Sequence, residues 1–149
     1  MDSKQHSILV VDDEERIFDV IEGLLMREEY QLTYAPSGQE ALKTLDALQP
    51  DVILLDVMMP GMDGIETCQQ IKNNPNWKHI PIIIVTALTS KEDLARSLNA
   101  GADDFISKPI NSLELRARVR SMLRIKIQYD ALAATLRLRT LNLFDAFLS

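Results

Sequence analysis

Five short runs rich in apolar residues recur along the chain, and the clearest of them lack the alternation of polar and apolar positions that marks a strand with one solvated face. The clearest cover residues 7–11, 51–56 and 81–86, and two shorter runs cover residues 31–35 and 103–107. Continuous apolar runs of about four to eight residues are typical of strands that are buried on both faces. The sequence therefore predicts five strands, of which the two shorter ones lie nearer an edge of the sheet.

Between these runs the apolar residues follow a helical period. Spacings of three and four residues place them on one face of each predicted helix. The stripes consist of Ile17, Val20, Ile21, Leu24 and Leu25, then Ala41, Leu42, Leu45 and Leu48, then Ile65, Cys68 and Ile71, and finally Leu94, Leu98 and Ala100. Residues suited to begin or end these helices are Ser37, the Asp63-Gly64 pair, Ser90 and either Asn111 or Ser112 at the N-termini, and Gly101 at a C-terminus.

Alternating strands and helices of these lengths predict right-handed crossovers and a parallel sheet that is covered on both faces. We therefore expect an α/β fold with a doubly wound, five-stranded parallel sheet. Ligands of such sheets bind beyond the carboxyl ends of the strands. The residues at those ends that carry chemistry are Asp12, Asp13, Asp56, Thr86 and Lys108.

Three of these residues are carboxylates, and their strands would lie side by side if the first and third strands pair. Two carboxylates roughly 4 Å apart repel by about 4 kcal/mol at an effective dielectric constant of about 20, so a cation is expected among them. Mg²⁺ fits because it prefers oxygen ligands, and Lys108 would add a second positive charge. In an alternative interpretation Asp12 and Asp13 cap a helix that starts at Glu14, which leaves Asp56 unexplained.

The composition of the chain excludes several classes of protein and site. The chain of 149 residues is 46% hydrophobic and can bury a core. No apolar run approaches the roughly 18 residues of a membrane span, so we expect a cytoplasmic protein with no membrane partner. One cysteine, Cys68, and two histidines exclude an internal disulfide and a Cys/His zinc site. Residues 1–110 carry 19 acidic and 9 basic side chains, so direct binding to nucleic acid is not expected.

Four segments carry a set of motifs in a fixed order. Residues 11–14, 56–64, 86–87 and 101–109 read VDDE, DVMMPGMDG, TA and GADDFISKP. Together they resemble the response regulator receiver domain of two-component signalling, over about residues 7–124; each motif alone would be a weak signal. The resemblance implies the flavodoxin-like strand order 2-1-3-4-5 and a receiver domain at residues 1–124.

The resemblance also implies a role for each strand-end residue. Asp56 would be the nucleophile that takes a phosphoryl group from a sensor histidine kinase or a phosphotransfer protein. Asp13, Asp56 and the backbone carbonyl of Met58 would hold Mg²⁺, with Asp12 acting through water. Lys108 would neutralise charge on the phosphoryl oxygens. The chain would then be a phospho-acceptor and not an enzyme that turns over a substrate.

A conformational switch is implied as well. The Thr86 hydroxyl would turn toward a phosphoryl oxygen and free space for Phe105, which would change the surface of the fourth helix, fifth strand and fifth helix. Apolar residues at Met58 and Leu88, positions where the family tunes the access of water, predict slow self-hydrolysis of the phosphoryl group.

The remaining motif residues would shape loops. Gly61 and Gly64 suit a tight loop with unusual backbone angles, next to Pro60. Pro109 resembles the proline that follows a cis peptide bond in the family, which would aim Lys108 back into the site.

Other classes of protein place chemistry at the same strand ends. A haloacid-dehalogenase-like phosphatase needs a second acid two residues after its nucleophile, where this chain has Met58. A flavin- or nucleotide-binding module needs a glycine-rich phosphate loop after the first strand, and Asp-Asp-Glu-Glu there has the wrong charge. A degenerate receiver that binds partners without phosphorylation stays open as an alternative.

Residues 125–149 are predicted to extend the last helix, since no glycine or proline interrupts the pattern. We expect homodimerisation through this helix, or continuation into an output domain of a longer protein, for which the segment resembles a signalling helix. The rest of the chain is too short for a DNA-binding domain. The predicted heptad seam contains Met122, Ile125, Tyr129, Leu132, Leu136 and Leu143, with Arg139 and Ala146 as imperfect members.

Other side chains receive structural interpretations. The basic residues of the last helix are expected to form a solvated face or to pair with acids of a partner subunit; they are Arg116, Arg118, Arg120, Arg124 and Lys126. Trp77 and His79 are interpreted as loop aromatics that cover one end of the sheet.

Overall fold

The computed structural model describes residues 5–88 and 90–148. Five strands form one parallel sheet in the order β2-β1-β3-β4-β5, which confirms the predicted fold and strand order. Each strand lies within one residue of its predicted bounds at both ends. The strands are β1 (Ser7–Val11), β2 (Gln31–Ala35), β3 (Val52–Leu55), β4 (Ile82–Thr86) and β5 (Asp104–Ser107).

Helices cover both faces of this sheet. They are α1 (Glu15–Leu24), α2 (Gly38–Leu48), α3 (Gly64–Lys72), α4 (Lys91–Asn99) and α5 (Ser112–Leu148). A three-residue 3₁₀ turn at Met26–Glu28 follows α1 and was not predicted. None of the helices in the described parts of the chain combines the length and the apolar character needed to cross a membrane.

The continuous apolar runs have a direct structural cause. Successive side chains of a strand point to opposite faces of a sheet, and here both faces are covered. Leu9 and Val11 pack with residues of α2 and α3, whereas Ile8 and Val10 pack with residues of α1 and α5. Every residue of β1, β3 and β4 is buried, so these strands carry no polar face.

The predicted helix ends are confirmed where a side chain accepts the backbone N–H three residues later. These N-terminal caps are Ser37, Asp63, Ser90 and Asn111. Gly101 follows α4 with a φ of +101°, a conformation that favours glycine. In α1, however, neither Asp12 nor Asp13 occupies the cap position, which is held by Glu14 without a side-chain cap bond. Asp12 Oδ1 accepts the Glu14 N–H at 2.9 Å, just before the helix begins.

For two residues of the predicted apolar stripes, the expected position on the buried face of the helix is wrong. Val20 is 44% exposed and Leu98 is 56% exposed. In α4 the inward positions are Leu94, which is half-buried, and the buried Ser97, three residues later. Leu98 lies about 100° around the helix from Ser97 and therefore turns toward solvent. Val20 likewise precedes the buried Ile21 of α1 and turns toward solvent.

The helix α5 continues for 37 residues without interruption across the predicted domain boundary after residue 124. Its contacts with the body of the domain continue to Tyr129, whose ring stacks on His79, in the loop before β4, with centroids 4.7 Å apart. From residue 134 to residue 148 every side chain is exposed. Residues 134–148 therefore form an exposed helical segment that extends beyond the domain.

The interpretation of the basic residues of α5 needs correction for three of them, because they pair with acids of the same chain. Arg118 binds both Asp104 oxygens at 2.9 and 3.0 Å, and Arg120 binds Glu28. Lys126 is buried and pairs with Asp51, the residue before β3. Packing of α5 against the body brings these pairs together across long stretches of sequence.

Candidate functional site

Three carboxylates meet at the carboxyl edge of the sheet. Asp12 and Asp13 follow β1, Asp56 follows β3, and these strands pair with Val11 opposite Leu55. One carboxylate oxygen from each aspartate lies within 4.8 Å of the others. Asp12 and Asp56 are buried, and Asp13 is exposed. The predicted acidic cluster is thus present, with one open side.

Lys108 supplies the positive charge of this cluster. Its Nζ lies 2.9 Å from Asp12 Oδ2 and 3.5 Å from Asp56 Oδ2. The peptide bond between Lys108 and Pro109 is cis, as the resemblance implies, and the Lys108 N–H donates to the Thr86 carbonyl at 2.9 Å. Burial lowers the pKa of Lys108, but the hydrogen bond to Asp12 and the charges of Asp56 and Asp12 outweigh it and raise the pKa above its ordinary value.

Asp56 has the opposite electrostatic balance. Burial, the largest effect, and the charge of Asp12 raise the pKa of Asp56. The charge of Lys108 and the hydrogen bond from the Met58 N–H lower it, but the pKa stays above its ordinary value. The Met58 N–H donates to Asp56 Oδ1 at 3.4 Å. Lys108 therefore does not fully offset the burial and the repulsion by Asp12, which both disfavour the ionised form of Asp56.

The donor set fits a hard divalent cation. Three carboxylates offer oxygen ligands only, which is the chemistry that Mg²⁺ prefers. Asp13 gives the cluster an exposed side, as a site needs if it is also to admit water or phosphate oxygens. A divalent charge here would also offset the burial and the repulsion by Asp12 that raise the pKa of Asp56.

The loop after Asp56 keeps its backbone close to α3. Gly61 has a φ of +76°, as expected for a tight turn, and Pro60 beside it is exposed. Gly64 has a different role from the predicted one, because a Cβ there would lie 2.0 Å from the Asp56 backbone oxygen. Close approach of two backbones, and not a positive φ, excludes a side chain at Gly64.

Thr86 and Phe105 lie on the neighbouring strands β4 and β5. Thr86 pairs with Ser107, two residues after Phe105, so both side chains point to the same face of the sheet. Thr86 is buried and its Oγ1 accepts the Leu88 N–H at 3.2 Å. Phe105 is half-buried against the core of that face.

One contact of the site was not predicted from the sequence. The Tyr34 hydroxyl, from β2, donates to the Asp12 backbone carbonyl at 2.7 Å. Burial and the nearby charges of Asp12, Glu15 and Asp13 raise the pKa of Tyr34, which keeps the hydroxyl protonated as a donor. Its position one residue before the end of β2 was the available signal.

A polar cavity lies at the end of the sheet opposite the acidic cluster, with a volume of about 510 Å³. Trp77 and His79 line it, and Trp77 Nε1 donates to Asp46 Oδ1 at 2.7 Å. Both aromatics therefore cover that end of the sheet as expected. Cys68 is fully buried, and burial raises the pKa of its thiol to about 11.

Comparisons with known proteins agree with this geometry. Residues 8–120 match the family model of the response regulator receiver domain. Response regulator PleD of Caulobacter vibrioides is 46% identical over 125 residues, which are 84% of this chain and 28% of PleD. The alkaline phosphatase synthesis transcriptional regulatory protein PhoP of Bacillus subtilis is 43% identical over 117 residues, 78% of this chain and 48% of PhoP. The chain thus spans only half or less of these relatives.

Solved structures show the same fold. A putative response regulator from Chloroflexus aurantiacus J-10-fl superposes with a TM-score of 0.78 at 34% identity, covering 81% of this chain and 99% of that one. The receiver domain of sensor histidine kinase PA1611 from Pseudomonas aeruginosa PAO1 has a TM-score of 0.74 at 29% identity, with coverage of 80% and 98%. That structure has a magnesium ion coordinated in its active site cleft.

Proposed function

Because the chain belongs to the response regulator receiver family, we propose that Asp56 accepts a phosphoryl group from a phosphohistidine of a sensor histidine kinase or phosphotransfer protein. The observation that carries this proposal is the meeting of three carboxylates with one ammonium group. Lys108 Nζ lies within 3.5 Å of both buried aspartates of a cluster whose third member, Asp13, is exposed. A crowded anionic site with one fixed cation is suited to bind a divalent cation together with a phosphoryl group.

The transfer is a displacement at phosphorus. An Asp56 carboxylate oxygen forms the new P–O bond as the P–N bond to the histidine ring breaks. The electron pair of that bond stays on the ring nitrogen, so a protonated phosphoimidazole leaves as neutral imidazole. The product on this chain is an aspartyl phosphate, a mixed anhydride.

The residues around Asp56 position the groups and balance their charge. Asp13, Asp56 and the Met58 carbonyl would hold Mg²⁺, with Asp12 acting through water. When bound, Mg²⁺ supplies positive charge to the phosphoryl oxygens. The Lys108 ammonium group lies beside Asp12 and Asp56 and would pair with an oxygen of a phosphoryl group on Asp56.

Phosphorylation would then change a distant surface. The Thr86 hydroxyl, which now accepts the Leu88 N–H, would donate to a phosphoryl oxygen instead. Its movement would free space for the half-buried Phe105 to turn inward. The surface of α4, β5 and α5 would change as a result, and with it homodimerisation or the contact with an output partner.

Intact-mass measurement tests the proposal. Wild-type protein is treated with acetyl phosphate and Mg²⁺, beside Asp56→Asn and the control Asp19→Asn, an exposed aspartate of α1. We expect one phosphoryl increment in the wild type and in Asp19→Asn, and none in Asp56→Asn. Circular dichroism establishes that the variants are folded.

An increment that persists in Asp56→Asn would remove Asp56 from its proposed role. A folded wild type that takes up no phosphoryl group from acetyl phosphate or phosphoramidate would favour the degenerate receiver, which binds partners without phosphorylation.

A further inference from the structure

Tyr34 joins the second strand to the acidic loop of the site. Its backbone pairs with Val10 in β1, and its side chain reaches forward along the sheet to the Asp12 carbonyl, at an oxygen-to-oxygen distance of 2.7 Å. The hydrogen bond therefore links the edge strand of the sheet to the turn between β1 and α1. A buried or half-buried hydroxyl with a donor bond of this length is well held.

The Tyr34 ring is also fixed from the side of the helix. Phe18 of α1 packs against it, with ring centroids 5.3 Å apart and planes inclined by 35°. Offset aromatic pairs of this kind are favourable beyond the area that they bury. The Tyr34 side chain is thus fixed at two points. Its hydroxyl binds the loop that follows β1, and its ring packs on α1.

Asp12 and Asp13 differ in how they are held. Lys108 and the Glu14 N–H bind the two oxygens of the Asp12 carboxylate. For the exposed Asp13 carboxylate, no hydrogen bond or ion pair occurs within residues 5–88 and 90–148. The orientation of Asp13 must therefore come from its backbone.

The carbonyl that Tyr34 binds belongs to the peptide unit between Asp12 and Asp13. That unit is planar, so a fixed carbonyl oxygen also fixes the direction of the Asp13 N–H and the place of its Cα. Removing the Tyr34 hydroxyl would leave Asp12 anchored by its side chain, and only the bond from the Glu14 N–H to Asp12 Oδ1 would still restrain this peptide. The carboxylate most affected would be that of Asp13.

We propose that Tyr34 is a positioning residue for the divalent cation: its hydroxyl fixes the Asp12–Asp13 peptide so that the Asp13 carboxylate meets Asp56. This inference rests on the proposed function, since it assumes a cation bound among the three carboxylates. Within the described residues the Tyr34 hydroxyl binds the Asp12 carbonyl and makes no hydrogen bond to Asp56, so Tyr34 acts through Asp13.

Calorimetric titration with Mg²⁺ alone tests the inference on the full chain without phosphodonor. Tyr34→Phe keeps the ring and its packing on Phe18, and removes the hydroxyl. We expect about three- to tenfold weaker Mg²⁺ binding, the usual range for one neutral hydrogen bond. The matched control is Tyr30→Phe, which removes a phenolic hydroxyl near Arg120, at the other end of β2, and should leave Mg²⁺ affinity unchanged.

A double-mutant cycle separates positioning from general stability. In an Asp13→Asn background, Tyr34→Phe should weaken Mg²⁺ binding no further, because the carboxylate that it positions is gone. A merely structural role would lower the unfolding midpoint while leaving the Mg²⁺ affinity of otherwise wild-type protein unchanged.

The outcomes are distinguishable. Wild-type binding of Mg²⁺ that Tyr34→Phe leaves unchanged would overturn this inference alone. An equal loss of affinity from Tyr34→Phe with and without the Asp13 carboxylate would overturn it too. A wild type that binds no Mg²⁺ would overturn the inference together with the cation part of the proposed function, while phosphoryl uptake by mass still reports on Asp56.

Discussion

Lys126 of α5 places its Nζ 3.7 Å from Asp51 Oδ1 at the base of the sheet, two residues past the predicted end of the receiver domain. Both residues are buried, and Lys126 Nζ also binds Asp130 Oδ2 at 2.6 Å. Asp51 in turn accepts the Ser7 N–H. The first turn of the helical extension is therefore attached to the domain at the end opposite Asp56.

Replacing Lys126 tests this attachment. Lys126→Ala leaves the buried Asp51 carboxylate with the Ser7 N–H and the neighbouring His6 but without the Lys126 ammonium group, and should lower the free energy of unfolding by about 1–3 kcal/mol. Urea unfolding measures the change. The control Arg124→Ala, at an exposed position of the same helix, should stay within about 0.5 kcal/mol of wild type. Equal stability of the two variants would contradict a stabilising ion pair at Lys126.

Gly64 and Gly23 form a matched pair of glycines. A Cβ at Gly64 would meet the Asp56 carbonyl oxygen at 2.0 Å, whereas a Cβ at Gly23 in α1 would meet nothing within 4 Å. We expect Gly64→Ala to destabilise the fold by about 2–4 kcal/mol and Gly23→Ala to stabilise it by up to about 1 kcal/mol. Urea unfolding measures both; destabilisation by the two alanines alike would argue against the close approach at Gly64.

Cys68 gives a prediction on reactivity and pH. Because burial raises its pKa from 9.0 to about 11, the native thiol should react with a disulfide reagent at pH 8 only as fast as the protein unfolds. Between pH 9 and 11 the unfolded chain loses this proton first, so stability falls as pH rises, by at most about 1.4 kcal/mol per pH unit.

The Cys68→Ala variant lacks that proton and should lose stability less steeply over the same pH range. Urea unfolding at several pH values compares the two slopes. Rapid labelling of native wild type at pH 8 would contradict the buried, protonated thiol.

Met58 is predicted to limit the access of water to an aspartyl phosphate. It is 58% exposed, and its backbone N–H contacts Asp56. Met58→Asn would offer polar atoms that orient an attacking water, so we expect several-fold faster loss of the phosphoryl group. Intact mass followed over time measures the loss, with the exposed Met26→Asn as control. A wild-type phosphoryl lifetime of only seconds would contradict slow self-hydrolysis.

The predicted seam on α5 can be tested with two exposed leucines. Leu136 belongs to the heptad seam and is 53% exposed, whereas Leu138 lies off the seam and is 62% exposed. If the seam mediates a homodimer, Leu136→Asn should weaken it, because it places a polar group in a buried position, and Leu138→Asn should not. Light scattering with and without beryllofluoride measures the dimer. Wild-type protein that stays monomeric at all concentrations in both conditions would count against the seam.

The sequence alone was sufficient to predict the local part of the architecture. Continuous apolar runs located β1, β3 and β4 because a strand buried on both faces must be apolar at every position. Side chains such as Ser37 and Asn111 marked helix starts because capping depends on residues only three positions apart. The strand-end aspartates and Lys108 followed once a parallel sheet was inferred, since such sheets gather their carboxyl ends at one edge.

Relationships between distant parts of the chain were decided by the tertiary structure. The bonds from Tyr34 to Asp12 and from Lys126 to Asp51 depend on how β2 and α5 pack, and no local pattern contains that information. The close approach at Gly64 and the exposure of Leu98 likewise follow from the positions of neighbouring elements. Periodicity determines which residues share a face of one element, but the partner of each face is set only when the elements meet in one core.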